Sequence, residues 1–258
     1  DCISYLSSIL KRRRNKRVII NIHAGHNPDG KAACGAIGII RESTEARNVK
    51  NEVIRQLKAL GHTVYDCTVE NGTSAGNVLY NIVKKCNSHD ADLDVSIHFN
   101  AGAKDAAGNG QTTGVEAYVF SSNSKAKAFA EKIVNAIASL GFKNRGVKIN
   151  QKLYFLRKTK AAALLLECCF VDDKDDVALY DYKSMADAIV YAITGQKYQE
   201  QPAEANDTDA NIPGSETSVG DKDSIYRVQV GVYRNKDNAI ALKEKLKAAG
   251  FDAAIVKA

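Results

Sequence analysis

The feature that most constrains the fold is the stretch Val18-Ile-Ile-Asn-Ile-His-Ala-Gly-His26. A short, nearly continuous β-branched apolar run ending in Gly reads as a strand buried on both faces. Two later runs end in the same way. Residues 93–97 lead into His98-Phe99-Asn100, and residues 161–166 lead into Glu167. In an open α/β sheet, ligands sit at the carboxyl ends of the strands. His26, His98 and a carboxylate are therefore read as a metal site that the rest of the chain brings together.

Between these runs the pattern alternates. Helical periodicity occupies 43–60, closed by Gly61, then 74–86, 124–140 and 182–193. Strands are expected at 62–69, 90–101, 115–120, 152–156 and 162–170, with a Gly-rich excursion over 101–114. Strands alternating with helices of this length predict an α/β layered fold with a largely parallel sheet, flanked by helices. From Gln199 to Ser224 large apolar residues are scarce, so 198–224 is expected to be a flexible linker. Residues 225–258 then carry a strand, a helix over 237–249 and a short strand, a small C-terminal βαβ unit below the size that usually folds alone.

The chain has 258 residues, is 45% hydrophobic and carries a net charge of +6, with no apolar run long enough to span a bilayer. That charge suits an anionic polymer, and the absence of Trp argues against a base-stacking platform for nucleic acid. Residues 1–16 are expected to form a basic arm, running through Lys11-Arg-Arg-Arg-Asn-Lys16 up to Arg17, and the missing initiator Met suggests a trimmed chain. None of the six cysteines forms a C-x-x-C pair, and Cys168-Cys169 lies in an apolar strand as buried thiols.

Zinc takes His nitrogen and carboxylate oxygen, and a catalytic site keeps one position open. Besides His26 and His98, Glu45 in the first turn of the helix over 43–60 faces the carboxyl edge and completes a His-Glu-His set. Glu42 competes with Glu45 for that place, and His23 with His26. His62 and His89 lie near turns and read as surface residues. Glu167, at the end of an apolar strand with no basic neighbour in sequence, suits a general base of raised pKa.

The segments Ile20-Asn-Ile-His-Ala-Gly-His26, Glu45-Ala-Arg-Asn48, Ser96-Ile-His-Phe-Asn-Ala101, Asn144-Arg-Gly-Val-Lys148 and Leu164-Leu-Leu-Glu-Cys-Cys-Phe170 occur in that order. Together they resemble the zinc N-acetylmuramoyl-L-alanine amidases of the amidase-3 family over residues 17–197. The resemblance implies a twisted six-stranded sheet, zinc (Zn2+) on His26, Glu45 and His98, and Glu167 as the catalytic glutamate. It implies hydrolysis of the amide joining N-acetylmuramic acid to L-Ala of the stem peptide. One departure is clear: the family shows Asp-Pro-Gly-His-Gly-Gly, and here His23 stands where that Asp would be. Residues 225–258 resemble half of a SPOR domain, a peptidoglycan-binding module of two βαβ repeats.

The expectation is a secreted or released hydrolase of the bacterial cell wall with peptidoglycan as partner, no nucleic acid and no stable membrane insertion. An autolysin, a sporulation enzyme and an endolysin all fit it. A zinc peptidase or deacetylase acting on another wall bond, or a non-catalytic peptidoglycan-binding protein, are the alternatives.

A lone βαβ half leaves a sheet edge and the helix face of Ile240, Leu242 and Leu246 uncovered, and edges of this kind are usually paired. A homodimer through the C-terminal units is the predicted result. Sedimentation of the full chain should show self-association at tens of micromolar that a chain ending at Lys197 lacks. A monomeric full chain, or a shortened chain that associates equally well, removes the idea.

Overall fold

In the computed structural model, residues 17–199 are described, together with Ile240, Lys243, Glu244, Lys247, Ala254 and Ile255. The chain divides into two units, 1–202 and 203–258. The first carries β1 (Ile19–Ala24), α1 (Glu42–Ala59), β2 (Thr63–Asp66), α2 (Ala75–Cys86), β3 (Leu93–Asn100) and β4 (Val115–Val119). It continues through α3 (Lys127–Ala138), β5 (Asn144–Ile149), α4 (Tyr154–Lys158), β6 (Ala162–Phe170), α5 (Lys174–Leu179) and α6 (Tyr182–Thr194).

The six strands form one sheet in the order β2-β1-β3-β6-β4-β5. The pairs β1–β2, β1–β3, β3–β6 and β4–β5 are parallel, and β4 runs antiparallel to β6. The six-stranded, mostly parallel α/β fold is thus as expected. The reversal has a consequence for the site. The carboxyl ends of β1, β3 and β6 share one sheet edge with the amino ends of β4 and β5.

Alternation along each strand fills two layers. Ile20, Ile22 and Ala24 join Val49, Val53, Leu57, Ile133, Ile189 and their neighbours in a core with α1, α3 and α6. On the opposite face Ala163 and Leu165 pack with Val78, Ile82 and Phe155 of α2 and α4. The first strand is buried on both faces, but Asn21 and His23 occupy the second face in place of aliphatic groups. Asn21 is satisfied there: its Nδ2 donates to Asp94 Oδ1 (2.7 Å) and to the Cys86 carbonyl (3.0 Å). Caps agree with sequence. Ser74 accepts from Asn77 N at the start of α2, and α6 ends at Gly195 with φ of 72°.

Three expectations need correction. The strand expected at 152–156 is the short helix α4, because a five-residue apolar run carries no period that separates helix from strand. The polar edge strand β5 was not expected, since in Asn144-Arg-Gly-Val-Lys-Ile only Val147 packs on the core and Ile149 stays exposed. His62 is buried, not a surface residue, with its Nδ1 accepting from Val18 N at 3.3 Å. His89 is half-buried and stacks on Tyr65 with ring centroids 3.8 Å apart. Cys34, Cys67, Cys86, Cys168 and Cys169 are free thiols, the last four buried.

The basic arm, 1–16, lies outside the described residues, as does the expected linker except for Tyr198 and Gln199. Tyr198 is seated on α1, its hydroxyl accepting from Arg55 Nη1 at 2.8 Å with the guanidinium over its ring. In the second unit Ile240, Lys243, Glu244 and Lys247 are helical, as the periodicity predicts, and Ile240 is exposed. The strand expected at 225–233 lies outside the described residues, and Ala254 and Ile255 have no regular structure. Among the described residues no helix is long and apolar enough to cross a membrane.

Candidate metal centre

β1 ends in Gly25-His26, and the chain leaves the sheet in a loop that returns as α1. Asn27 locks this loop: its Nδ2 donates to Ala32 and Gly72 carbonyls (both 2.7 Å), and its Oδ1 accepts from Gly72 N (2.9 Å). Arg47, one turn into α1, reaches back with Nη2 to the His26 carbonyl at 2.9 Å and to Glu70 Oε2 at 3.1 Å. Gly25 is needed for clearance, because a Cβ there would collide with the His98 imidazole. His26 and His98 meet edge to face with centroids 4.8 Å apart.

The carboxylate between them is Glu42. Its Oε1 lies 3.2 Å from His26 Nε2 and 2.9 Å from His98 Nδ1, and also accepts from Phe99 N at 3.2 Å. Its Oε2 accepts from Ala36 N at 2.7 Å. The donor atoms of His26, Glu42 and His98 all lie within 4.8 Å of one another. Two imidazole nitrogens and one carboxylate oxygen converging in this way fit a zinc-type cation with open positions.

Glu45, the expected ligand, is not in this cluster. Its Oε2 accepts from Asn48 Nδ2 (2.9 Å) and the Tyr180 hydroxyl (3.0 Å). The reason is helical geometry. Three residues further along, Glu45 sits ~4.5 Å up the axis and is turned by ~60°, beside the chain just ahead of α6. Glu42 is the first residue of α1, following the extended Arg41, and so lies nearest the sheet edge. A helix expected to open at Ser43 left Glu42 outside the element. Glu42 therefore stood only as the rival of Glu45 for the ligand place.

Glu167 stands next to His98 in the β3–β6 register. It is half-buried, and its Oε2 is enclosed with no hydrogen-bond partner among the described residues. Burial, and then the negative charges of Glu42 and Glu116, push its pKa up to about 8. Burial alone would raise Glu42 too, but its hydrogen bonds from His26 and His98 outweigh that and hold it well below the usual carboxylate range. Two carboxylates in one site are thus driven apart, one kept ionised and one close to neutral titration. His23 lies on the opposite face of β1 from the main core, edge-on to Phe155 at 4.7 Å. Burial, then the adjacent His98, lowers its pKa to about 3, so it is a neutral imidazole.

Residues 20–195 match the family described as N-acetylmuramoyl-L-alanine amidase, and residues 197–257 match the SPOR domain. An uncharacterised protein of Clostridium perfringens is 37% identical over 165 residues, covering 64% of this chain and 47% of that protein. The endolysin of Bacillus phage SPP1 is 27% identical over 232 residues, covering 85% of this chain and 77% of the endolysin. Among solved structures, the catalytic domain of the CD27L endolysin targeting Clostridia Difficile superposes with a TM-score of 0.61 at 25% identity. That likeness covers 71% of this chain and 100% of the domain. The chain spans about half the length of the two Clostridium perfringens relatives, 47% and 49%.

Two outcomes test this geometry. Glu42→Gln, like His26→Ala and His98→Ala, should lose bound divalent metal after dialysis, whereas Glu45→Gln should keep it; elemental analysis that found the reverse would reinstate Glu45. The second concerns Glu167 in chelator-stripped protein. Its folded pKa of about 8 lies above the ordinary carboxyl value of 4.5. Stability from this group is therefore fully present below that ordinary value and is lost as pH rises towards 8, by at most ~1.4 kcal/mol per pH unit. Glu167→Gln should accordingly raise the melting temperature relative to wild type more at pH 8 than at pH 5. A difference independent of pH would refute the assignment.

Proposed function

This chain belongs to the N-acetylmuramoyl-L-alanine amidase family, and on that premise we propose that residues 17–197 form a zinc-dependent peptidoglycan hydrolase. The bond cleaved is the amide between N-acetylmuramic acid and L-Ala of the stem peptide. The observation that carries this reading is the convergence of His26, Glu42 and His98 beside the unpartnered carboxyl of Glu167. We take Glu42, in place of Glu45, as the ligand glutamate.

Zinc held by these three side chains supplies a Lewis acid that polarises a carbonyl and lowers the pKa of water. The remaining work falls to the chain itself. Glu42 stays ionised and supplies the third donor beside the two imidazoles. His23, neutral and enclosed, adds no charge beneath the site. Glu167 has a proton affinity near neutrality, so it takes a proton from the attacking water and returns it to the departing L-Ala nitrogen. The match of residues 197–257 to the SPOR domain supports a second role, retention on peptidoglycan, for a protein secreted or released to the bacterial wall.

Mass spectrometry of digested peptidoglycan should find new peptides beginning at L-Ala and glycan strands with a freed lactyl carboxyl. New amino ends at any other residue would make the protein a peptidase, and loss of acetyl alone a deacetylase. In the same assay Glu167→Gln should keep its metal and lose turnover by about 10²-fold or more.

A further inference from the structure

The segment Asn144-Arg-Gly-Val-Lys148 has no part in the metal centre, yet the reversal of β4 and β5 carries its start to the same sheet edge. Glu116 of β4 is the register partner of Glu167 and is 1% exposed. It accepts from Arg145 Nε (2.5 Å), Lys148 Nζ (2.5 Å), the Tyr118 hydroxyl (2.6 Å) and Asn100 Nδ2 (3.0 Å). Arg145 and Lys148 both pair with this one carboxylate, which stands opposite Glu167 in the sheet. The Arg145 guanidinium is fixed on one edge by Glu116 and lies over the Phe170 ring, 5.0 Å from its centroid. Its two Nη groups make no hydrogen bond among the described residues, and the side chain is 29% exposed. A guanidinium so oriented presents its open fork to a carboxylate.

We propose that Arg145, held by Glu116, is a specificity-determining contact for the free α-carboxylate on the second, acidic residue of the stem peptide. The proposal rests on the amidase reading above. Spacing supports it. Two strand intervals of ~4.8 Å each set the Arg145 backbone ~10 Å across the sheet from that of Glu167. An extended peptide advances ~3.3 Å per residue, so the second residue beyond the scissile amide lies within reach of the arginine side chain.

The test compares two muramoyl tripeptides that differ only at the second residue, one with a free α-carboxylate and one with that group as a carboxamide. Metal-loaded wild type should favour the carboxylate form by about tenfold or more in kcat/KM, chiefly through KM. Arg145→Gln should bring the ratio near one. Arg145→Lys, a point charge without the fork, should fall between. A wild type that treats both alike overturns the proposal even if the variants fail to fold, as does an unchanged ratio in Arg145→Gln. Calorimetric binding of the two free tripeptides separates the two claims. A carboxylate preference in binding that Arg145→Gln abolishes, without cleavage of either muramoyl substrate, upholds Arg145 and rejects the amidase reading. No preference in binding, with cleavage intact, does the opposite.

Discussion

The Glu42 carboxylate holds the functional edge of this protein together. A carboxylate so enclosed costs several kcal/mol unless its oxygens are met by donors. Here four groups meet it: two imidazoles and the backbone amides of Ala36 and Phe99. Those four groups come from the loop after β1 and the end of β3, so one side chain at the start of α1 ties three segments. The loop cannot shift without stranding a buried charge. Arg47 adds a second fastening, gripping the His26 carbonyl from the same helix.

The polarity switch in the sheet extends that edge. Had β4 run parallel to β6, its amino end would lie far from Glu167. Antiparallel pairing instead sets Glu116 directly opposite Glu167. Burial would raise Glu116 as it raises Glu167, but hydrogen bonds from Arg145, Lys148 and Tyr118 outweigh that and hold it at about 2. Glu116 is thus a permanent anion, and it contributes to the raised proton affinity of Glu167. The strands that complete the sheet also set the electrostatics around the proposed acid–base group.

Much of this was legible from the chain alone. The apolar runs ending in His26, His98 and Glu167 marked the central strands, and Ala162–Phe170 was read to the residue. Elements with weak apolar faces were not. β5 is a polar edge strand, and α4 is too short for a helical period to declare itself. His62 was misread because a His beside Gly looks like a turn residue, whereas the packing around β1 encloses it.

By itself the sequence determined the layer architecture, since buried parallel strands must be apolar runs, and its resemblance to the amidase family pointed to imidazole and carboxylate as the donor types of the site. Only the tertiary structure placed Glu42, and not Glu45, between the two histidines. Residues three apart share a helix face and are equivalent to any periodic reading. What separates them is which one the end of β3 approaches, and that distance is fixed by how α1 packs on the sheet. The same holds for Glu116 and Arg145. The place of Glu116 opposite Glu167, with Arg145 paired to it, depends on strand direction, which no local stretch of sequence encodes.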